Sequence, residues 1–216
     1  MTDAVVFDLD GLLLDTEQLW DEVREGLVRE RGGRWHDRAQ ADMMGMSSVE
    51  WPRYMHDVIG LAEPADEIDA EVVRRMQARY AEELPLVEGG VEAVRRLAAD
   101  LRLGLASSSN RPIIDAVLAA AGIAALFEAT VSSEEVERGK PAPDVYLETA
   151  QRLGVAPRAC AAVEDSANGI RSASAAGMRV IAIPNRRYPP PADALGLADE
   201  TLASLAELTR AVVAPE

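Results

Sequence analysis

Val5-Val6-Phe7-Asp8-Leu9-Asp10-Gly11 is a short apolar run that stops in two carboxylates one residue apart and then a glycine. An unbroken β-branched and aromatic run suits a strand covered on both faces, as strands of parallel sheets are. In open parallel sheets, ligands bind in the crevice beyond the carboxyl ends of the strands. Two carboxylates held there repel each other, and a divalent cation with oxygen ligands relieves the repulsion. The alternative is an acidic turn open to water, which Asp and Gly commonly make. The stretch runs on to Asp15-Thr16-Glu17, where a helical pattern begins.

From residue 16 to about 84 the spacing of apolar residues predicts helices and no strand. Leu19, Val23, Leu27 and Glu30 sit at helical intervals up to Gly32-Gly33, and a second such stretch covers 37–44. Ser47 reads as the N-cap of a helix over 48–59, with Glu50 completing a capping box. A further helix spans 64–84, carrying Ile68, Val72, Val73, Met76 and Tyr80. After Pro85-Leu86 the pattern changes to alternating helices and strands, with strands expected at 101–106, 129–131, 159–163 and 180–183. That alternation predicts an α/β fold, a doubly wound parallel sheet joined by right-handed crossovers. Residues 1–15 and 85–216 would form this core, residues 16–84 a helical insertion, and the tail from 201 a last surface helix.

The composition narrows the class. A chain of 216 residues, 48% hydrophobic, can build one sizeable core with a modest insertion. No apolar run reaches the length of a membrane span, and no basic segment precedes Val5 as a signal peptide would require. The single cysteine, Cys160, sits in an apolar run and fits a buried thiol in a reducing cytoplasm. A net charge of −15 argues against nucleic-acid and anionic membrane partners. Nothing in the sequence demands more than a monomer.

Three more strand ends carry polar groups. Ser107-Ser108-Ser109-Asn110 places hydroxyls just before a helix, where N–H groups bind phosphate oxygens well, although Ser and Asn also serve as ordinary caps. Gly139-Lys140-Pro141-Ala142-Pro143-Asp144 sets a lysine in a stiff backbone. Glu164-Asp165 puts two adjacent acids at another strand end. Beside Asp8 and Asp10 they would make four carboxylates near one point, costly without a cation.

Together, Asp8-Leu9-Asp10-Gly11, Ser107, Lys140 and Glu164-Asp165 resemble, in that order, the motifs of the haloacid dehalogenase-like hydrolase superfamily. The resemblance covers essentially the whole chain. The helical insertion after the first motif is similar to the small α-helical cap of the subgroup containing β-phosphoglucomutase and sugar phosphatases. It implies a Rossmann-like core, Mg²⁺ as cofactor, and a small phosphorylated metabolite as partner. By that resemblance Asp8 is the nucleophile forming an aspartyl-phosphate and also a metal ligand. Asp10 is the general acid/base and meets the metal through its backbone carbonyl. Ser107 and Lys140 hold the transferring phosphoryl group, with Ser108 and Asn110 nearby. Asp165 ligates the metal, and Glu164 does so directly or through water. Trp20, Gly45 and Ser47 are the expected substrate contacts from the insertion.

The same resemblance sorts the reactions. Dehalogenases lack the second acid, Asp10, and phosphonate cleavage needs a lysine in the insertion, where none lies between 16 and 84. In β-phosphoglucomutases a histidine and an arginine grip the second phosphate; Trp20 and Ser48 stand at those positions here. Hydrolysis of a sugar phosphate is therefore favoured. A mutase remains the alternative, with Arg53, Arg74 or Arg75 replacing the missing arginine. A catalytically silent binding module would predict damage to these motifs, and none is seen. His36 and His56 both lie in the insertion and read as surface or satisfied residues.

Overall fold

The computed structural model describes residues 2–43, 46–186 and 188–215. Its sheet has six parallel strands: β1 Ala4–Phe7, β2 Arg102–Ser107, β3 Ala129–Ser132, β4 Cys160–Glu164, β5 Arg179–Ala182 and β6 Glu200–Thr201. They lie in the order β3-β2-β1-β4-β5-β6, which is Rossmann-like. Because β1 pairs with β2 on one side and β4 on the other, the chain's direction of winding switches at β1. A crevice opens beyond the carboxyl ends at such a switch. Phe7 is level with Leu105 and Val163, so Asp8, the end of β2 and Glu164 converge there.

Alternate residues of β1 serve opposite faces. Val5 and Phe7 join a core with Val94, Ile113 and Val117, while Val6 packs among Tyr146, Ile170 and Ala173. These partners come from helices α5 Gly90–Leu97 and α6 Arg111–Ala120 on one side, and α7 Asp144–Leu153 and α8 Ala167–Ala175 on the other. Cys160 is fully buried, and burial pushes its thiol up to about 11.

Helices α1 Glu17–Arg31, α2 Ala39–Met43, α3 Glu50–Asp57 and α4 Ala65–Glu82 fill the chain between β1 and α5. The two connections lie side by side: Asp15 N–H donates to Pro85 C=O at 2.8 Å and Val87 N–H to Leu13 C=O at 2.9 Å. In α1 the buried residues are Trp20, Val23, Arg24, Leu27 and Val28, a stripe of helical period, and Gly32 ends the helix in a left-handed turn. Among the described residues no helix is long and apolar enough to cross a membrane.

Two local expectations are corrected. The helix expected from 48 begins at Glu50 instead; the Ser47 hydroxyl donates to Glu50 Oε2 at 2.8 Å rather than accepting from the Glu50 N–H, which bonds the Ser47 carbonyl. The box is thus half made, with Ser47 N–H also donating to Glu50 Oε2. Nor is the tail one helix. It supplies β6, a 3₁₀ turn Leu205–Glu207 and the short α10 Arg210–Val213, after a four-residue α9 Ala192–Leu195. β6 is only two exposed residues long and lacks the apolar run that marks a strand in sequence.

Candidate active site

Asp8 leaves β1 with its N–H still bonded to Val163 C=O, which turns its carboxylate into the crevice. Lys140 reaches it from the loop before α7: Nζ donates to Asp8 Oδ1 and to Glu164 Oε1, each at 2.6 Å. Tyr146, one turn into α7, donates its hydroxyl to the same Glu164 oxygen at 2.7 Å. The other Glu164 oxygen accepts from the N–H groups of Asp165 and Ser166 and from the Ser166 hydroxyl, at 3.1 to 3.3 Å. Both Glu164 oxygens therefore accept hydrogen bonds. Side-chain exposure of Lys140, Asp8 and Glu164 is 4%, 9% and 0%, so this is a buried network.

Two glycines make the network possible. A Cβ on Gly169 would lie 1.8 Å from Glu164 Oε1, and one on Gly11 would lie 2.0 Å from Asp165 Oδ2. Gly11 also adopts φ +79°, which L side chains rarely tolerate.

Asp10 points elsewhere. Its Oδ1 accepts from the Thr16 hydroxyl at 2.7 Å and from Trp20 Nε1 at 3.3 Å, and its Oδ2 accepts from the Ser109 hydroxyl at 2.6 Å. This carboxylate is held between the core and α1 while Asp8 is held by Lys140. Two acids two residues apart therefore sit in different surroundings.

Burial is the main force on the ionisation of these groups. It raises the Asp8 carboxyl to about 8, Lys140 opposing and Glu164 adding to the rise. It raises Asp165 well above the carboxylate range, helped by Glu164 and Asp8. Carboxylate oxygens of Asp8, Glu164 and Asp165 all lie within 4.8 Å of one another. One lysine cannot neutralise three acids, and a set of hard oxygen donors suits Mg²⁺ or a similar cation. The donor set fits the metal.

A cavity of about 450 Å³ opens over Asp8 and Asp10. Ser108, Ser109, Lys140 and Asp165 line its floor, while Trp20, Arg24, Met46 and Trp51 line it from the helical segment. Ser107 lies at the end of β2, fully buried and outside this lining, its Oγ accepting from the Ser109 N–H at 3.0 Å. Asn110 lines the cavity, yet its amide donates to Asp69 of α4 at 3.0 Å and to Glu134 at 2.9 Å. It joins the core to the helical segment, and its donors are not turned toward a phosphate here. Ser47 is buried outside the lining and presses on the Lys140 loop, where a Cβ on Gly139 would meet its own at 2.9 Å. Gly45 lies outside the described residues.

None of the arginines considered from sequence lines the cavity. Arg74 and Arg75 are tied to Glu71, and Arg75 also to Glu30; Arg53 is exposed. His36 bonds the Tyr54 hydroxyl and His56 the Leu61 and Glu63 carbonyls, both at the surface. Sequence reasoning missed Arg24, Glu17, Trp51 and Tyr146. Arg24 had a signal: it is a charge in register with Trp20, Val23 and Leu27. Glu17 faces Asp10 in the same cavity, and burial lifts its carboxyl to about 7.

A carboxylate poised beside a fixed cation, next to donors for a hard metal, is chemistry suited to enzymes that transfer phosphoryl groups. Comparison with known proteins agrees, and the chain belongs to the haloacid dehalogenase-like hydrolases, whose family model matches residues 2–177. Hexitol phosphatase B of Escherichia coli (strain K12) is 34% identical over 95% of this chain and 94% of its own length. The crystal structure of CbbY from Rhodobacter sphaeroides in complex with phosphate superposes with a TM-score of 0.83, at 29% identity over 96% of each chain. β-Phosphoglucomutase from Clostridium difficile shares the fold, with a TM-score of 0.84 at 21% identity over 98% of this chain and 95% of its own.

Proposed function

We propose that this phosphatase hydrolyses a small phosphorylated metabolite, a sugar phosphate, through an aspartyl-phosphate on Asp8. The observation that carries the reading is the division between the two acids, Asp8 fixed by Lys140 and Asp10 held apart by Thr16, Trp20 and Ser109. A nucleophile must be ionised; burial holds the Asp8 carboxyl up at about 8, the lysine 2.6 Å away opposes that rise, and a divalent cation bound beside it would bring it down further. The acid/base must gain and lose a proton, and Asp10 stands clear of the lysine to do so. Asp8 Oδ attacks phosphorus while Asp10 protonates the leaving alcohol. Asp10 then takes a proton from water as that water attacks the phosphoryl-aspartate and releases phosphate.

Lys140 and the Ser108 hydroxyl would hold the equatorial oxygens, since such transfer depends on positioning and charge neutralisation, while Ser107, buried outside the lining, would fix the loop by accepting from the Ser109 N–H. Asp8, Glu164 and Asp165 would hold Mg²⁺, with the Asp10 backbone carbonyl completing the protein's share; bound there, the ion neutralises charge on the transferring group. Residues 16–84 act in this reading as a cap that closes over the cavity and excludes water. The single free cysteine, buried, fits a reducing cytoplasm.

Phosphate release from a panel of sugar phosphates tests the reading. Release should need Mg²⁺, stop with EDTA, and fall by at least about 10³-fold in Asp8→Asn. Release that persists in EDTA or in Asp8→Asn would overturn it. A mutase is the second reading, favoured by the buried Arg24, which supplies a cation that could hold a second phosphate. Conversion of β-glucose 1-phosphate to glucose 6-phosphate without free phosphate would establish it instead.

A further inference from the structure

Arg24 is a buried cation whose hydrogen bonds are not made. It is 8% exposed and lines the cavity from α1. Its guanidinium carbon lies 4.7 Å from the ring centroids of both Trp20 and Trp51, which are 6.1 Å from each other, so it rests in the corner between the two indoles. Contact with the ring faces stabilises the charge but leaves the N–H donors unused. Nε is buried without a hydrogen-bond partner, and no carboxylate oxygen among the described residues lies within 4.0 Å of the guanidinium. Burying a charge in this way is costly unless something pairs with it. Glu17, Asp21 and Asp10 act on it only from a distance, and burial prevails, lowering its pKa to about 10.

The geometry suggests what is missing. A guanidinium presents a planar fork of donors that matches a carboxylate or a phosphate. Lys140, the other cation lining the cavity among the described residues, is already bonded to Asp8 and Glu164. Trp20 connects the two ends of the site, because its Nε1 bonds Asp10 while its ring faces Arg24. One indole therefore separates the proton-transferring carboxylate from the guanidinium, a gap that a short carbon chain or sugar can span. Glu17 lies in the same cavity and can accept from hydroxyls along that chain.

Resting on the phosphatase reading, we propose that Arg24 is a specificity-determining residue that binds a second anionic group at the end of the substrate remote from the transferred phosphoryl. The substrate class is then a phosphorylated sugar acid or a sugar bisphosphate, and a neutral sugar phosphate leaves the guanidinium unpaired. The position differs from those the resemblance offered, Trp20 and Ser48, and comes from the buried stripe of α1.

Calorimetric binding to the Asp8→Asn protein with Mg²⁺ tests this without turnover, using glucose 6-phosphate, 6-phosphogluconate and glucose 1,6-bisphosphate. At least one of the two anion-ended probes should bind about tenfold or more tightly than glucose 6-phosphate, the scale of a charge-assisted bond. Which one does so separates carboxylate from phosphate. Adding Arg24→Met should bring that preference within about twofold, with Arg24→Gln as the second variant should Met misfold, and Arg24→Lys should keep part of it. Equal binding of all three probes, binding of none, or a preference that survives loss of the guanidinium would overturn the proposal. Phosphate release by the wild-type protein is followed in parallel. Its absence from every phosphomonoester would defeat the phosphatase reading, while the binding ratio still judges Arg24.

Discussion

Two buried cations face one cavity and are treated in opposite ways. Lys140, on the core side, sits 2.6 Å from two carboxylates and bears a raised pKa, because those charges outweigh its burial. Arg24, on the helical side, rests in the corner between two indoles, with no carboxylate of the described residues in contact, and has a lowered pKa, because burial outweighs its distant acids. In the core half of the site the cation is thus already paired, and what is left over is acid, suited to a metal ion. The helical half leaves donors open. Chemistry common to any phosphomonoester belongs in the first kind of surroundings, and recognition of one particular molecule in the second.

The largest effect that would break this contrast is at Lys140. Lys140→Met leaves Asp8 and Glu164 buried without their cation. In EDTA the variant should lose about 3 kcal/mol in urea denaturation, and its Mg²⁺-supported phosphate release should fall about 10²-fold or more. A stable, active Lys140→Met protein would mean the core network is not closed by that lysine.

Gly169→Ala sharpens the same point with a single methyl. The added carbon meets the Glu164 carboxyl 1.8 to 2.1 Å away, and Glu164 is already fixed by Lys140, Tyr146 and Ser166. Displacing it should weaken Mg²⁺ dependence of activity by about 10- to 100-fold, the cost typical of disturbing the groups around a metal. Unchanged magnesium activation would show that Glu164 has room to move.

The smallest effect lies where the two halves touch. Burial raises the Asp69 carboxyl to about 6; the Asn110 amide opposes the rise and Glu134 adds to it. The folded protein therefore binds this proton more tightly than the unfolded chain, whose value is near 3.8. The associated stability is full below about pH 4 and is lost as pH rises through about 6. Asp69→Asn removes that dependence. The difference in unfolding free energy between wild type and variant, from urea titrations, should change across pH 4 to 6, by no more than about 1 kcal/mol given solvent screening. A difference constant with pH would exclude Asp69 as a titrating contact.

The contrast also explains what the sequence disclosed. Asp8, Lys140 and Glu164-Asp165 are legible because a parallel sheet brings strand ends together, and the alternation of strands and helices announces that sheet. Their convergence follows from register: β1 lies between β2 and β4. Tyr146 was hidden because an aromatic in an amphipathic helix looks like core, and most of it is core; only its hydroxyl serves Glu164. Arg24 was hidden because its neighbours are charged, and its place on the buried stripe emerges only when Trp20, Val23 and Leu27 are counted with it. The final strand, Glu200–Thr201, was illegible for a different reason, since two exposed polar residues carry no periodicity.

Asp8 as the covalent nucleophile is the central claim, and trapping tests it most directly. Wild-type protein turning over a phosphomonoester with Mg²⁺ is quenched and reduced with borohydride, which converts an acyl phosphate on aspartate to homoserine, and peptides are mapped by mass spectrometry. The account predicts homoserine at position 8, dependent on substrate and absent from Asp8→Asn. Homoserine at another carboxylate, or undiminished phosphate release by Asp8→Asn in the same experiment, would contradict it.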